Sequence, residues 1–221
     1  MNKTAILVDG GFFLKRYKSI KKIKYLDPIK TAKDLIRICH KHLNQGKDKK
    51  KRELYRIYYY DCMPYGDKQH NPITNKHIDF SKTDIYQFRM AFFEELKKSR
   101  KVALRLGELE AGMWNIRPNK TKDLLKGKIQ ISDLQEDDVQ LSINQKMVDT
   151  KIGLDIATIT LKKQADQIIL ISGDSDFVPA SKLARTEGVD FILDPMWNPI
   201  KPHLFEHIDG LQTRIKKHFL F

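Results

Sequence analysis

Five aspartates occupy positions where a carboxylate can hold a metal ion or move a proton. Asp9 closes the apolar run of residues 4–8 and is followed by Gly10 and Gly11. Asp174 and Asp176 fall in "SGDSD", directly after the apolar run of residues 167–171. Asp149 and Asp155 lie in "KMVDTKIGLDIA". In an open parallel α/β sheet, ligands bind outside the carboxyl ends of the strands, where strand order reverses. If the strands ending at Asp9 and Asp174 are neighbours, their carboxylates share one crevice, and Gly10, Gly11 and Gly173 let the backbone turn beside it.

Val148, Ile152, Asp155 and Ile159 stand at i, i+4, i+7 and i+11, so Asp155 lies on the helix stripe that faces the sheet. A carboxylate there must be protonated, hydrogen-bonded, salt-bridged or bound to a metal. Asp149 falls in the first turn of the same helix, where the macrodipole favours an acid. Asp176 reads equally as the N-cap of the following helix or as a metal contact. Carboxylates sharing one crevice repel, and a divalent cation lets them stay ionised together; oxygen-only donors select Mg²⁺ or Mn²⁺ over zinc. The seven histidines show no ligand spacing, and His40, His42, His70 and His77 read as surface or loop residues. Such a metal in a basic protein suits phosphodiester hydrolysis. Lys15, Arg16 and Lys146, with Lys120, Lys122, Lys126 and Lys128, are then the cations nearest the backbone of a nucleic acid. Each singly also reads as a solvated surface residue.

The elements that must position these acids follow from periodicity. Residues 4–8, 54–60, 167–171 and 189–193 read as strands, as does "KVALRLGEL". Helices are expected after Gly11 and over residues 27–45, 83–99, 148–163 and 177–188, with Asp27 as an N-cap and Gly188 as a C-cap. This alternation predicts a Rossmann-like three-layer α/β fold with a mostly parallel sheet. Residues 62–80 read as a long loop, 110–145 as a basic insertion with uncertain edges, and 196–221 as a C-terminal extension holding a final helix and then a strand, a tail or an interface.

The chain has 221 residues, 41% of them hydrophobic, which fits one domain with insertions. No apolar stretch reads as a signal peptide or a membrane span, and Cys39 and Cys62 have neither metal nor disulfide spacing, so a reducing cytoplasm is expected. Against 28 Asp+Glu stand 41 Lys+Arg, a formal net charge of +13 that favours a polyanion: nucleic acid first, an anionic membrane second.

"ILVDGGFF", "KMVDTKIGLDIA" and "LISGDSDFVPASKLARTEGVDFI" together resemble the NYN domain, the LabA/DUF88 branch of the PIN-like nuclease superfamily. The resemblance runs from Thr4 to about Leu193 and is weakest in the middle. It implies a PIN-like fold and a metal-dependent ribonuclease working through Asp9, Asp149, Asp155, Asp174 and Asp176. RNA is the implied substrate, with single-stranded DNA second. Many relatives carry asparagine soon after the first aspartate, where this chain has Gly11 and Phe12. A non-catalytic RNA-binding adaptor of the same fold is the competing expectation.

Overall fold

The computed structural model describes residues 2–44 and 52–217. Strand β1 (Lys3–Asp9) leads into helices α1 (Gly10–Lys21) and α2 (Pro28–His42), then β2 (Glu53–Cys62). A small hairpin, β3 (Lys68–His70) with β4 (His77–Asp79), precedes α3 (Asp84–Lys97) and the long β5 (Val102–Ile116). Helix α4 (Pro118–Leu125), β6 (Val139–Lys146) and α5 (Val148–Leu161) follow. The chain continues through β7 (Gln167–Ile171), α6 (Val178–Thr186), β8 (Asp190–Asp194), α7 (Pro202–Phe205) and β9 (Gly210–Leu211).

Seven strands form one sheet in the order β6-β5-β2-β1-β7-β8-β9, parallel throughout except for β6. The expected α/β architecture with a mostly parallel sheet is therefore present. Alternate residues of each central strand point to opposite faces. Ile6, Val8, Ile57 and Tyr59 pack under α1, α2 and α3, while Ala5, Leu7, Tyr58 and Tyr60 pack under α5 and α6. Such two-sided burial is why these strands read as unbroken apolar runs.

Local chemistry sets the helix ends. Asp27 accepts from the Lys30 amide at 2.6 Å with Pro28 in the first turn of α2, and Thr83 caps α3 through the Tyr86 amide at 3.3 Å. Gly188 closes α6 at φ +79°, with its amide donating to Arg185 and that of Val189 to Ala184. These are the two bonds of a Schellman motif. Gly10, the first residue of α1, packs so closely on β2 that a Cβ would lie 2.5 Å from both the Tyr59 ring and the Tyr60 carbonyl oxygen. Gly10→Ala is expected to lower stability by about 3 kcal/mol, the upper end of overpacking costs, read as a loss in the urea midpoint with unchanged slope.

Three sequence expectations need correction. Residues 62–80 are not a plain loop: they carry the β3-β4 hairpin, turned by Asn71, whose side-chain oxygen accepts from the Ile73 amide at 2.9 Å. Strands of three residues are too short for a period-2 signal. The 110–145 segment is largely ordered as well. Beyond Gly107, β5 leaves the parallel sheet and pairs with β6 as an antiparallel ribbon. Its nine steps to Ile116 span roughly 30 Å at strand rise, with α4 at the far end. The sheet's long-range pairing supplies the order that composition there does not indicate. Finally, His42 is no surface residue; it is fully buried and hydrogen-bonded to Asp194 at 2.8 Å. Leu211 joins β9, while residues 218–221 and the lysines of 45–51 lie outside the described residues.

Candidate active site

Strand order reverses between β1 and β7, and their parallel register places Val8 opposite Ile171. Asp9 and the "SGDSD" segment thus leave neighbouring strands at the carboxyl edge, where open α/β sheets bind ligands. Asp9 is the N-cap of α1: Oδ1 accepts from the Phe12 amide at 3.0 Å, and Oδ2 accepts from the Ser172 hydroxyl at 3.2 Å. The same Ser172 oxygen accepts from the Asp174 amide at 3.3 Å, so one side chain ties the two strand ends together.

Capping in "SGDSD" falls to Asp174 rather than Asp176. Asp174 Oδ1 accepts from the Asp176 amide at 3.0 Å and begins a 3-10 turn over Ser175–Phe177 that runs into α6. Asp176 is left exposed, lining with Asp149 an open groove of about 480 Å³ between α5 and α6. A larger cavity of about 790 Å³ lies at the opposite edge, beside Asn2, Glu53 and Lys101 at the strand starts, away from these acids.

The electrostatics bind the acids into one group. Burial pushes the Asp9 carboxyl above its ordinary 3.8, opposed by the Phe12 and Ser172 hydrogen bonds, and the charges of Asp149 and Asp61 push it further up. Asp149 is raised by burial and then by Asp174 and Asp176. Mutual repulsion therefore links Asp9, Asp61, Asp149, Asp174 and Asp176 across the edge. An acid whose folded pKa exceeds its unfolded value adds stability fully below the unfolded value and loses that contribution as pH rises through the folded one. Urea denaturation from just above pH 3.8 towards neutrality is thus expected to show wild type losing stability relative to Asp9→Asn. A constant gap between the two curves would contradict it.

Asp61 was not singled out in the sequence, although "LYRIYYYD" repeats the signature of Asp9, an acid closing an apolar strand. It is 1% exposed, ion-paired with Arg89 of α3, and accepts from the Cys62 amide at 2.8 Å and the Tyr59 hydroxyl at 3.2 Å. Ser172 was missed as well, and a serine within a turn carries no distinguishing signal. Asp194 also closes a strand, but His42 and the amides of Met196 and Arg214 engage its carboxylate.

Asp155 has other partners. Val148, Ile152, Ile156 and Ile159 form the buried stripe of α5, and Asp155 sits at its margin with its side chain 18% exposed. Its Oδ2 accepts from the Tyr60 hydroxyl at 2.8 Å and from Arg105 Nε at 3.0 Å. Of the ways a carboxylate can be tolerated on that stripe, hydrogen bonding and a salt bridge are the ones realised.

The basic residues are likewise dispersed. Lys15 is exposed on α1, whereas Arg16 donates to the Met196 carbonyl at 2.9 Å. Lys146 pairs with Glu110 at the base of the ribbon. At the far end, Lys120 faces Asp138 at 3.4 Å and Lys128 faces Asp123 at 3.9 Å, while Lys122 and Lys126 are exposed. Residues 110–145 hold 5 Lys+Arg against 6 Asp+Glu, so the segment is not basic overall. The excess lies elsewhere: residues 1–106 carry 26 Lys+Arg against 11 Asp+Glu, and residues 107–221 carry 15 against 17. Helices α1 and α2 carry 8 Lys+Arg against 1 Asp+Glu, whereas α3 carries 2 against 3, and the groove acids come mostly from the other half of the chain.

Oxygen-only donors fit a hard dication. Among the described residues, however, no three of these carboxylate oxygens lie within 4.8 Å of one another.

The family model of the NYN domain matches residues 92–196. The NYN domain is a PIN-like nuclease family, and the match supports an NYN/PIN-like assignment. It takes in Asp149, Asp155, Asp174 and Asp176 and leaves Asp9 and Asp61 outside. Among solved structures, a protein of unknown function from Vibrio parahaemolyticus is similar at 14% identity and TM-score 0.47, covering 98% of this chain and 94% of that one. A provisionally assigned oxidoreductase from Parabacteroides merdae is similar at 10% identity and TM-score 0.28, covering 93% of this chain and 27% of its own. No curated protein matches. Among the described residues, no helix is long and apolar enough to cross a membrane.

Proposed function

We propose that this chain is a metal-dependent endoribonuclease of the LabA/DUF88 type. The observation that carries the reading is geometric: Asp9 and Asp174 meet through Ser172 at the switch point between β1 and β7, and Asp149 and Asp176 line the adjoining groove. Asp9, Asp149 and Asp174 would hold Mg²⁺ or Mn²⁺, and Asp176 faces the groove where substrate enters. When bound, such an ion polarises a phosphoryl oxygen and lowers the pKa of an attacking water. Ser172 ties the Asp9 carboxylate to the Asp174 backbone amide. Asp155 serves by holding Arg105, which pairs in the sheet with Tyr60, itself level with Asp9. The basic half of the chain, Lys15 included, attracts the RNA backbone, an effect that salt weakens.

The adaptor reading is favoured by one observation: the carboxylate oxygens are not gathered as a ligand set. Incubating purified protein with labelled RNA in Mg²⁺ or Mn²⁺, beside EDTA, separates the two. Cleavage abolished by EDTA supports the nuclease. Salt-sensitive binding without cleavage, unaffected by EDTA, supports the adaptor, and products that persist in EDTA contradict the metal-dependent reading.

A further inference from the structure

Away from the acidic groove, one short segment gathers ligand-type side chains that the proposed chemistry does not use. His203, Glu206 and His207 stand at i, i+3 and i+4 on α7 and the turn that continues it, so they leave one face of a single helical turn. One ligand atom from each, an imidazole nitrogen or a carboxylate oxygen, lies within 4.8 Å of the other two. The two imidazole rings are 5.1 Å apart and nearly perpendicular, at 84°. None of the three side chains hydrogen-bonds to another group among the described residues.

The backbone beneath them is firmly seated. Leu204 and Ile208 are buried in the core on the α5 and α6 side. Arg185 of α6 donates to the Glu206 carbonyl at 3.0 Å and to Asp209 Oδ1 at 2.8 Å, and Asp209 Oδ2 accepts from the Phe191 amide at 2.8 Å. A ligand arriving here orders three side chains and no backbone, which keeps the entropic cost of binding low.

We propose that His203, Glu206 and His207 form a binding site for a transition-metal dication of the Zn²⁺ class, with its remaining coordination positions open to water. Two imidazoles and a carboxylate select Zn²⁺, Co²⁺ or Ni²⁺ rather than the hard ions suited to the groove. Tetrahedral coordination at 2.0–2.1 Å sets the donor atoms about 3.4 Å apart, a closure within reach of small side-chain rotations from the present 4.8 Å limit. Lys182 and Arg185 face His207 and oppose a dication, but Asp209 balances Arg185 and Glu206 contributes a negative charge directly. The site adjoins the groove: α7 packs on the Ser175–Phe177 turn, and Lys201 Nζ donates to Ser175 Oγ at 3.3 Å. A metal here would brace the turn that carries Asp176.

Untagged full-length protein is expected to bind Zn²⁺ by calorimetry and to give Co²⁺ a ligand-field spectrum of a low-symmetry nitrogen-oxygen site. His203→Ala and His207→Ala should each weaken binding by at least about tenfold, and the double variant should abolish both signals. Zn²⁺ should raise the thermal midpoint of wild type but not of the double variant. Asp9→Asn combined with Asp149→Asn should leave the Co²⁺ spectrum intact, which separates this site from the groove. Absence of Zn²⁺ binding, or binding undiminished in the double histidine variant, overturns the proposal whatever the outcome for RNA.

Discussion

Asp9→Asn is expected to reduce metal-dependent RNA cleavage by more than about 100-fold, since losing even an outer-shell partner of a metal site typically costs 10–100-fold. The fold should survive the change. Asparagine caps a helix about as well as aspartate, so the bond from the Phe12 amide at 3.0 Å can persist through the side-chain oxygen. The substitution also removes a half-buried charge that Asp149 and Asp61 repel, so stability at neutral pH should equal or exceed that of wild type. Asp155→Asn should behave in the opposite sense. Its carboxylate is paired with Arg105 and Tyr60, so stability falls by about 1 kcal/mol, while cleavage stays within about tenfold of wild type. Single-turnover rates alongside urea midpoints measure both quantities. Equal loss of cleavage in the two variants would make Asp155 a direct participant and refute its assignment as the holder of Arg105.

Arg89→Met is expected to destabilise the protein by about 3–5 kcal/mol, the usual consequence of leaving one partner of a buried ion pair uncompensated. Asp61 is almost wholly buried, and Arg89 is the cation that opposes the upward push of burial on its carboxyl. Adding Asp61→Asn should recover most of the loss, because the amide needs no counter-charge: its oxygen can still accept from the Cys62 amide, and its NH2 can donate to the Tyr59 hydroxyl oxygen. Failure of the double variant to recover would mean that Arg89 acts through the packing of its stem. The pair matters to the groove because the Asp61 charge also raises Asp9. Arg89, reaching in from α3, thereby favours the ionised form of a carboxylate that β2 lends to this edge of the sheet.

Much of the fold was legible because its signals are local. Each central strand is buried on both faces and must be an apolar run, and Asp27, Thr83 and Gly188 mark helix ends through bonds to residues within a few positions. The ribbon of β5 and β6 was not legible, because its halves pair across more than twenty residues and each is partly exposed. The hairpin was missed because three residues cannot display an alternation.

The same division runs through the site. The sequence by itself determined that acids follow the strands ending near Asp9 and Asp174, since a carboxylate after a buried apolar run is visible in one dimension. It also determined the net positive charge. Tertiary structure decided which acids meet. Strand order placed β7 beside β1, Ser172 joined their ends, and the crossing of α5 gave Asp149 to the groove and Asp155 to Arg105. Arg89 arrived from the opposite face to neutralise Asp61. Charge–charge energies depend on distance and burial, and neither is a property of spacing along the chain.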